Sequence, residues 1–265
     1  MNINKEEIYE KIAQRLAASK RPFVLTGAGL GVASGLDTFR GEGGHWSKYR
    51  PEDLSSIHGF KKDPVLVWQW YNERIQKYLD VKPNDGHYAL TELQNLLPTT
   101  TIVTQNVDGL QKRAGAKDVV EIHGSIFDLK CTGACSNSMK IIGELGRPYE
   151  GNKKLENPYY HESCGGLIRP GVVFFGDNLP KEAMAIAEHE SMHADIIIVA
   201  GTSAKVQPAA SLARSHDTSV MLVEINPEPA LKHLTGFIIN DTTENALPKL
   251  IEITKKYIHL RNHSR

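Results

Sequence analysis

Cysteine is scarce in this chain, with three residues, Cys131, Cys135 and Cys164, among 265. Without export features, so few thiols argue against a disulfide framework and for a reducing compartment. Neither charge sign is in excess: 31 Lys+Arg stand against 31 Asp+Glu. No global field therefore draws the chain to nucleic acid or to an anionic membrane, and any charged ligand must be read by local residues. No apolar run approaches the ~20 residues of a membrane-spanning helix. The N-terminus mixes acidic and basic residues and lacks an apolar core segment, which excludes a signal or transit peptide. Internal repeats are absent as well. The expectation is a cytoplasmic monomer with neither nucleic acid nor membrane as partner.

What is present reads as α/β. Forty per cent hydrophobic and 23 per cent charged residues are ordinary for a globular protein of this length, one large domain or a domain with an insert. Ile8, Ile12 and Leu16 recur at helical spacing behind an Asn4 cap with Glu7 three residues on. A helix is predicted over residues 63–80, with Asp63 as cap and Pro64 in its first turn, and another over 86–97. Apolar runs at 23–26, 101–103, 119–120, 172–175, 195–200 and 220–225 read as strands. Helices are predicted at 181–193 and after Pro208, and residues 255–265 as a frayed tail. Continuous apolar strands alternating with helices imply a parallel sheet covered on both faces.

Polar residues crowd where these strands end. Thr104-Gln105-Asn106-Val107-Asp108-Gly109-Leu110 follows one strand and Ile122-His123-Gly124-Ser125 another. Open α/β sheets bind ligands on that edge, although two polar turns would read the same way. Phe23–Thr26 runs into Gly27-Ala28-Gly29 and on to Gly35, a way for backbone to approach a pyrophosphate. It departs from the dinucleotide fingerprint, because Val32 stands where the third glycine belongs. Phe39 and Arg40 lie within a glycine-rich stretch suited to closing over a ligand, and Arg40 suits a phosphate. Gly201-Thr202-Ser203 and Asn226 fall at later strand ends. Tyr71 and Arg74, three apart on a helix, face the same way, as do many surface pairs.

Residues 126–169 change character, with many small polar residues and little apolar periodicity. Such a segment cannot build its own core and invites a metal staple. Cys131-x₃-Cys135 and His161-x₂-Cys164 supply a zinc donor set, with Glu162 competing with His161 and buried thiols as the alternative.

Taken in order, Gly27-Ala28-Gly29, Thr38-Phe39-Arg40-Gly41, Thr104 to Leu110, His123-Gly124-Ser125, Gly165 to Pro170, Val172 to Gly176, Gly201-Thr202-Ser203 and Asn226 resemble the sirtuin family of NAD-dependent protein deacylases. The resemblance spans roughly residues 20–250. It implies a Rossmann-like parallel-sheet large domain (1–46, 97–126 and 170–265) and a small domain made of a helical insert (47–96) and a zinc-binding module (127–169), with NAD and an acyl-lysine protein or peptide meeting between them. It further implies NAD contacts from Gly27, Ala28, Gly29, Phe39, Arg40, Gln105, Asn106, Asp108, Gly201, Thr202, Ser203, Asn226 and Thr242, with His123 as general base. Val173, Phe174, Phe175 and Gly176 would clamp the peptide, and Cys131, Cys135, His161 and Cys164 would hold zinc.

In the reaction so implied, the acyl oxygen attacks the ribose C1′ as nicotinamide leaves. The imidazole then helps a ribose hydroxyl attack the imidate, and water finally releases free lysine and O-acyl-ADP-ribose. Tyr71-x-x-Arg74 resembles the class III members that remove succinyl and malonyl groups, where a guanidinium grips the distal carboxylate, and acetyl-lysine stays within reach. NAD hydrolysis or ADP-ribosyl transfer from the same pocket is the alternative. Gly31 and Asp37 depart from the family pattern, which usually carries serine and often proline there.

Overall fold

The computed structural model describes residues 4–38, 50–133, 141–144, 160–161, 164–214, 217–231, 233–234 and 236–263. Among them are nine strands: β1 (Pro22–Thr26), β2 (Thr101–Thr104), β3 (Val120–Glu121), β4 (Gly124–Cys131), β5 (Ile141–Glu144), β6 (Ile168–Val172), β7 (Ile196–Ala200), β8 (Met221–Ile225) and β9 (Phe237–Ile239). Six of them form an all-parallel sheet in the order β3-β2-β1-β7-β8-β9. The chain order reverses at β1, which has β2 on one side and β7 on the other. An open α/β sheet leaves a crevice there, outside the carboxyl ends of its strands.

β1 and β7 are buried along their whole length, which is why they read as unbroken apolar runs. On one face, Ile12, Leu16, Leu90, Leu93, Leu247 and Leu250 of the helices Lys5–Ala18, Asp85–Leu96 and Thr243–His263 pack with Val24, Ile102 and Ile198. On the other, Ala187 and Leu212 pack with Phe23, Val103 and Ile197. Each fully buried Leu or Ile contributes about 1.5–3 kcal/mol of transfer free energy. The predicted caps are in place. Asn4 and Glu7 form a capping box, and the Leu66 N–H donates to Asp63 Oδ1 (2.9 Å).

β4, β5 and β6 form a separate antiparallel sheet in the order β5-β4-β6. The helix Pro64–Asp80 is joined to it through Val67, Trp68 and Ile75, which pack with Ile126, Ile168 and Val172. Trp68 Nε1 also donates to the Ile168 carbonyl (2.8 Å). This docking sets Tyr71 and Arg74 beside the crevice of the large sheet.

Three secondary-structure expectations change. The strand predicted at 172–175 is displaced to β6, and Val173–Phe175 lies beyond its end. Only a short 3₁₀ turn, Ala209–Ala213, follows Pro208. The predicted frayed tail is helical to His263, because Tyr257 Oη donates to Glu10 and the Arg261 guanidinium donates to the Ala17 carbonyl. The helix Asp85–Leu96, grouped with the helical insert on sequence, packs into the core of the large sheet through Ala89, Leu90 and Leu93. The boundaries expected at 126 and 170 fall inside β4 and β6. Among the described residues, no helix is long and apolar enough to cross a membrane.

Candidate active site

A cleft of about 680 Å³ opens at the carboxyl ends of β1, β2, β7 and β8, closed on its other side by Trp70, Tyr71 and Arg74 and by residues 172–177. Gly27, Ala28, Gly29, Gln105, Asn106, Gly201, Thr202, Ser203, Asn226 and Thr242 all line it. Phe39 and Arg40 lie outside the described residues.

The loops after β1 and β7 touch. The Gly29 N–H donates to the Gly201 carbonyl (2.8 Å), and a Cβ on Gly29 would stand 2.8 Å from Gly201 Cα. A side chain there would force the two strand ends apart, so glycine keeps bare backbone at the crevice. Side-chain amides then tie the strand ends together. Gln105 Nε2 donates to Thr202 Oγ1 (3.0 Å), Asn106 Nδ2 to the Gly27 carbonyl (2.9 Å) and Asn226 Nδ2 to the Thr202 carbonyl (3.1 Å). Thr242 Oγ1 is buried on the same wall with no hydrogen-bond partner among the described residues. A buried hydroxyl in that position fits a polar ligand that would satisfy it, and glycine-rich backbone beside strand ends fits a pyrophosphate.

His123 also lines the cleft. Its Nδ1 lies 3.0 Å from the Gln105 carbonyl, which can only accept, so Nδ1 carries the proton and Nε2 presents its lone pair. Burial pushes the imidazole below its usual range, opposed by the bond to the Gln105 carbonyl. The ring is neutral at pH 7 and ready to accept a proton. Its own carbonyl accepts from the Val173 N–H (2.9 Å), fixing it to the opposite wall.

Asp108 does not line the cleft; it is 6 % exposed and accepts from the Leu110 N–H (2.8 Å). Burial pushes its carboxyl up to about 6, and the Leu110 amide and the Arg113 charge only partly oppose this. A group whose pKa is raised on folding lends stability that is complete below its unfolded value and is lost as pH rises through its folded value. The buried carboxylate thus costs roughly 2–3 kcal/mol at pH 7. Asp108→Asn keeps the acceptor oxygen, so in urea unfolding it should exceed the parent by about that amount at pH 7 and match it near pH 4. His87, pulled down to about 4 by burial, acts in the opposite sense between pH 6.5 and 4 but is common to both proteins. A difference that stays constant with pH would contradict this account.

Tyr71 and Arg74 share the cleft wall facing the strand ends. Tyr71 Oη lies 3.0 Å from Ser55 Oγ, and its ring stacks on Phe174 with centroids 5.7 Å apart. Burial pushes the phenol up to about 12, so it stays a donor. Val173, Phe174, Phe175 and Gly176 line the cleft too, but they form a docked segment and not an open strand edge. The Phe175 N–H donates to the Ser55 carbonyl (2.7 Å), and the Phe174 N–H donates to Asp177 Oδ2 (2.9 Å). Phe174 is core, whereas Phe175 is 47 % exposed.

A buried ion pair, Arg169 to Asp177 at 2.5 Å, braces this segment, with the guanidinium 4.3 Å from the Phe174 ring centroid. Sequence reading missed that pair, along with Ser55, Trp70 and Lys205 on the cleft wall. Trp70 alone carried a signal, standing four residues before Arg74 on one helix.

At the far end of β4, Cys131, His161 and Cys164 gather with their ligand atoms within 4.8 Å of one another. The two sulfurs are 3.5 Å apart, too far for a disulfide, and His161 Nδ1 lies 3.2 Å from Cys164 Sγ. Two thiols and an imidazole so placed fit zinc. Cys135, expected as a further ligand, and Glu162, the competitor of His161, lie outside the described residues. Cys131 stands seven steps along the strand from Gly124, so this centre lies roughly 20 Å from the His123 end, where a metal would act as a staple.

Residues 27–208 match the Sir2 family profile. The chain is 40 % identical over 252 residues to NAD-dependent protein deacylase 2 of Pyrobaculum aerophilum, a match covering 94 % of this chain and 97 % of that protein. It superposes on the crystal structure of a Sir2 homolog–NAD complex with a TM-score of 0.81 and 38 % identity, covering 94 % of both chains. It also resembles the structure of Sir2Af2 bound to a myristoylated histone peptide, with a TM-score of 0.71 and 28 % identity over 97 % of this chain and 99 % of that one.

Proposed function

The chain belongs to the Sir2 family and is an NAD-dependent protein deacylase; from the wall of its cleft we propose that it removes the acidic acyl groups succinyl and malonyl from lysine, as well as acetyl. The observation that carries this reading is that Tyr71 and Arg74 line the same cavity as His123. An Arg guanidinium binds a carboxylate through two parallel N–H groups, and a phenol adds a third donor.

In this reading the strand ends from Gly27 to Asn226 hold NAD, whose contribution is a sugar carbon open to attack and a departing nicotinamide. Asn106, already tied to Gly27, orients the nicotinamide end, and Gln105, tied to Thr202, the nicotinamide ribose, both without reorganising. His123 Nε2 would take the proton from a ribose hydroxyl as that oxygen adds to the imidate carbon, and water would then release free lysine and O-acyl-ADP-ribose. Tyr71, Val173 and Phe174 line the cleft beside His123, where an apolar wall would keep water from the reacting carbon. The likeness to a structure holding an acylated histone peptide supports a peptide as the acyl carrier. Cys131, His161 and Cys164 would hold a zinc ion that braces the small sheet, away from the reacting atoms.

One peptide synthesised with acetyl-, malonyl- or succinyl-lysine and offered with NAD tests the proposal. Higher kcat/KM for the two acidic acyls is the expected result. Removal of acetyl alone would discard the acidic-acyl reading.

A further inference from the structure

Tyr71 and Arg74 are legible from their spacing, but the structure adds a second periodicity on the same helix. Trp70, Arg74 and Tyr78 stand at i, i+4 and i+8 of Pro64–Asp80 and so share one stripe. The Arg74 guanidinium carbon lies 4.4 Å from the centroid of the Trp70 ring and 5.2 Å from that of the Tyr78 ring. Arg74 Nη2 donates to Tyr78 Oη. All three side chains are buried, yet only Trp70 and Arg74 line the cleft. Tyr78 stands behind them. Its backbone carbonyl accepts from Arg113 Nη1 (2.7 Å), which anchors this end of the helix to the short helix Leu110–Arg113 that follows β2.

We propose that Tyr78 is a positioning residue for acyl specificity: it holds the Arg74 guanidinium against Trp70 so that the distal carboxylate of an acidic acyl-lysine meets a guanidinium already fixed at the cleft wall. The inference rests on the acidic-acyl reading. Two aromatic faces steady a cation through their ring quadrupoles. A long flexible side chain fixed before the substrate arrives loses little further freedom on binding, and that saving appears in affinity for the group it recognises. Burial pushes the Tyr78 phenol up to about 12, so the hydroxyl keeps its proton while accepting from Arg74.

The test compares Tyr78→Phe, which keeps the ring and removes the hydroxyl, with Tyr78→Leu, which removes both. KM and kcat are measured with NAD on acetyl- and succinyl-lysine versions of one peptide. Tyr78→Phe is expected to raise KM for the succinyl peptide about 5- to 10-fold, the loss of one hydrogen bond, with kcat held and a smaller change on the acetyl peptide. Tyr78→Leu is expected to exceed it. If Tyr78→Leu does not fold, Tyr78→Phe decides alone. A purely structural Tyr78 would lower activity on both peptides equally, and that outcome overturns the proposal.

Arg74→Met is run in parallel, alone and combined with Tyr78→Phe. Adding Tyr78→Phe to Arg74→Met should leave the succinyl constants where Arg74→Met put them, since a group acting through Arg74 has nothing left to act on. A further loss there overturns the positioning role alone. If Arg74→Met fails to discriminate between the acyl groups, the acidic-acyl reading falls, and the Tyr78 proposal with it.

Discussion

His123→Ala should lower kcat/KM for deacylation by about 100- to 10,000-fold, the range that a well-placed general base contributes. The reason lies in the hydrogen bonding of the ring. Nδ1 is committed to the Gln105 carbonyl, so the proton acceptor is Nε2, and the ring cannot exchange roles without losing that bond. Alanine removes the acceptor but keeps the main-chain carbonyl that receives the Val173 N–H, so the two walls of the cleft stay joined. Urea unfolding of the variant should therefore fall close to that of the parent.

The pH profile gives a second readout. Because burial holds the imidazole below its usual range, protonation sets in only below pH ~6.5. The acid limb of kcat/KM should lie under that value and vanish in the residual activity of His123→Ala. Activity of the alanine variant above about a tenth of the parent would remove the base assignment.

Arg74→Met should cut kcat/KM for the succinyl peptide by roughly 30- to 1,000-fold, and for the acetyl peptide far less. The figure follows from losing a charge-assisted, two-pronged contact, about 2–4 kcal/mol. Methionine keeps an unbranched stem of similar bulk, so the slot between Trp70 and Tyr78 stays filled while the cation is lost. Acetyl-lysine carries no distal carboxylate and has nothing to offer the guanidinium, and it serves as the internal control for folding and NAD binding. Equal losses on the two peptides would mean that Arg74 supports the cleft wall and does not read the acyl group.

The parallel sheet was legible because both its faces are buried. β1 and β7 have no polar side to blur the pattern, and the polar residues between them fall at strand ends, where the crevice lies. Helix starts at Asn4 and Asp63 were legible because a cap is a local bargain between a side chain and an orphan N–H.

What stayed hidden depends on contacts between distant segments. β6 was misplaced because Val173–Phe175 is as apolar as a strand, yet its amides are taken by His123, Asp177 and Ser55, which no local pattern reveals. The Arg169–Asp177 pair joins residues eight apart across that bend. The helix Asp85–Leu96 shows an apolar face but not which core receives it. The Tyr71 and Arg74 spacing was visible, whereas their shared wall with His123 required the small sheet to dock its helix there.

The most direct test of the account is the ratio of free lysine to nicotinamide when the protein turns over NAD with and without a succinyl-lysine peptide. If the acyl oxygen reaches the sugar carbon before water does, one lysine is freed for each nicotinamide released, and little nicotinamide appears when the peptide is withheld. Nicotinamide released at the same rate without the peptide, with no lysine freed in its presence, would contradict the account and identify an NAD-consuming reaction of another kind.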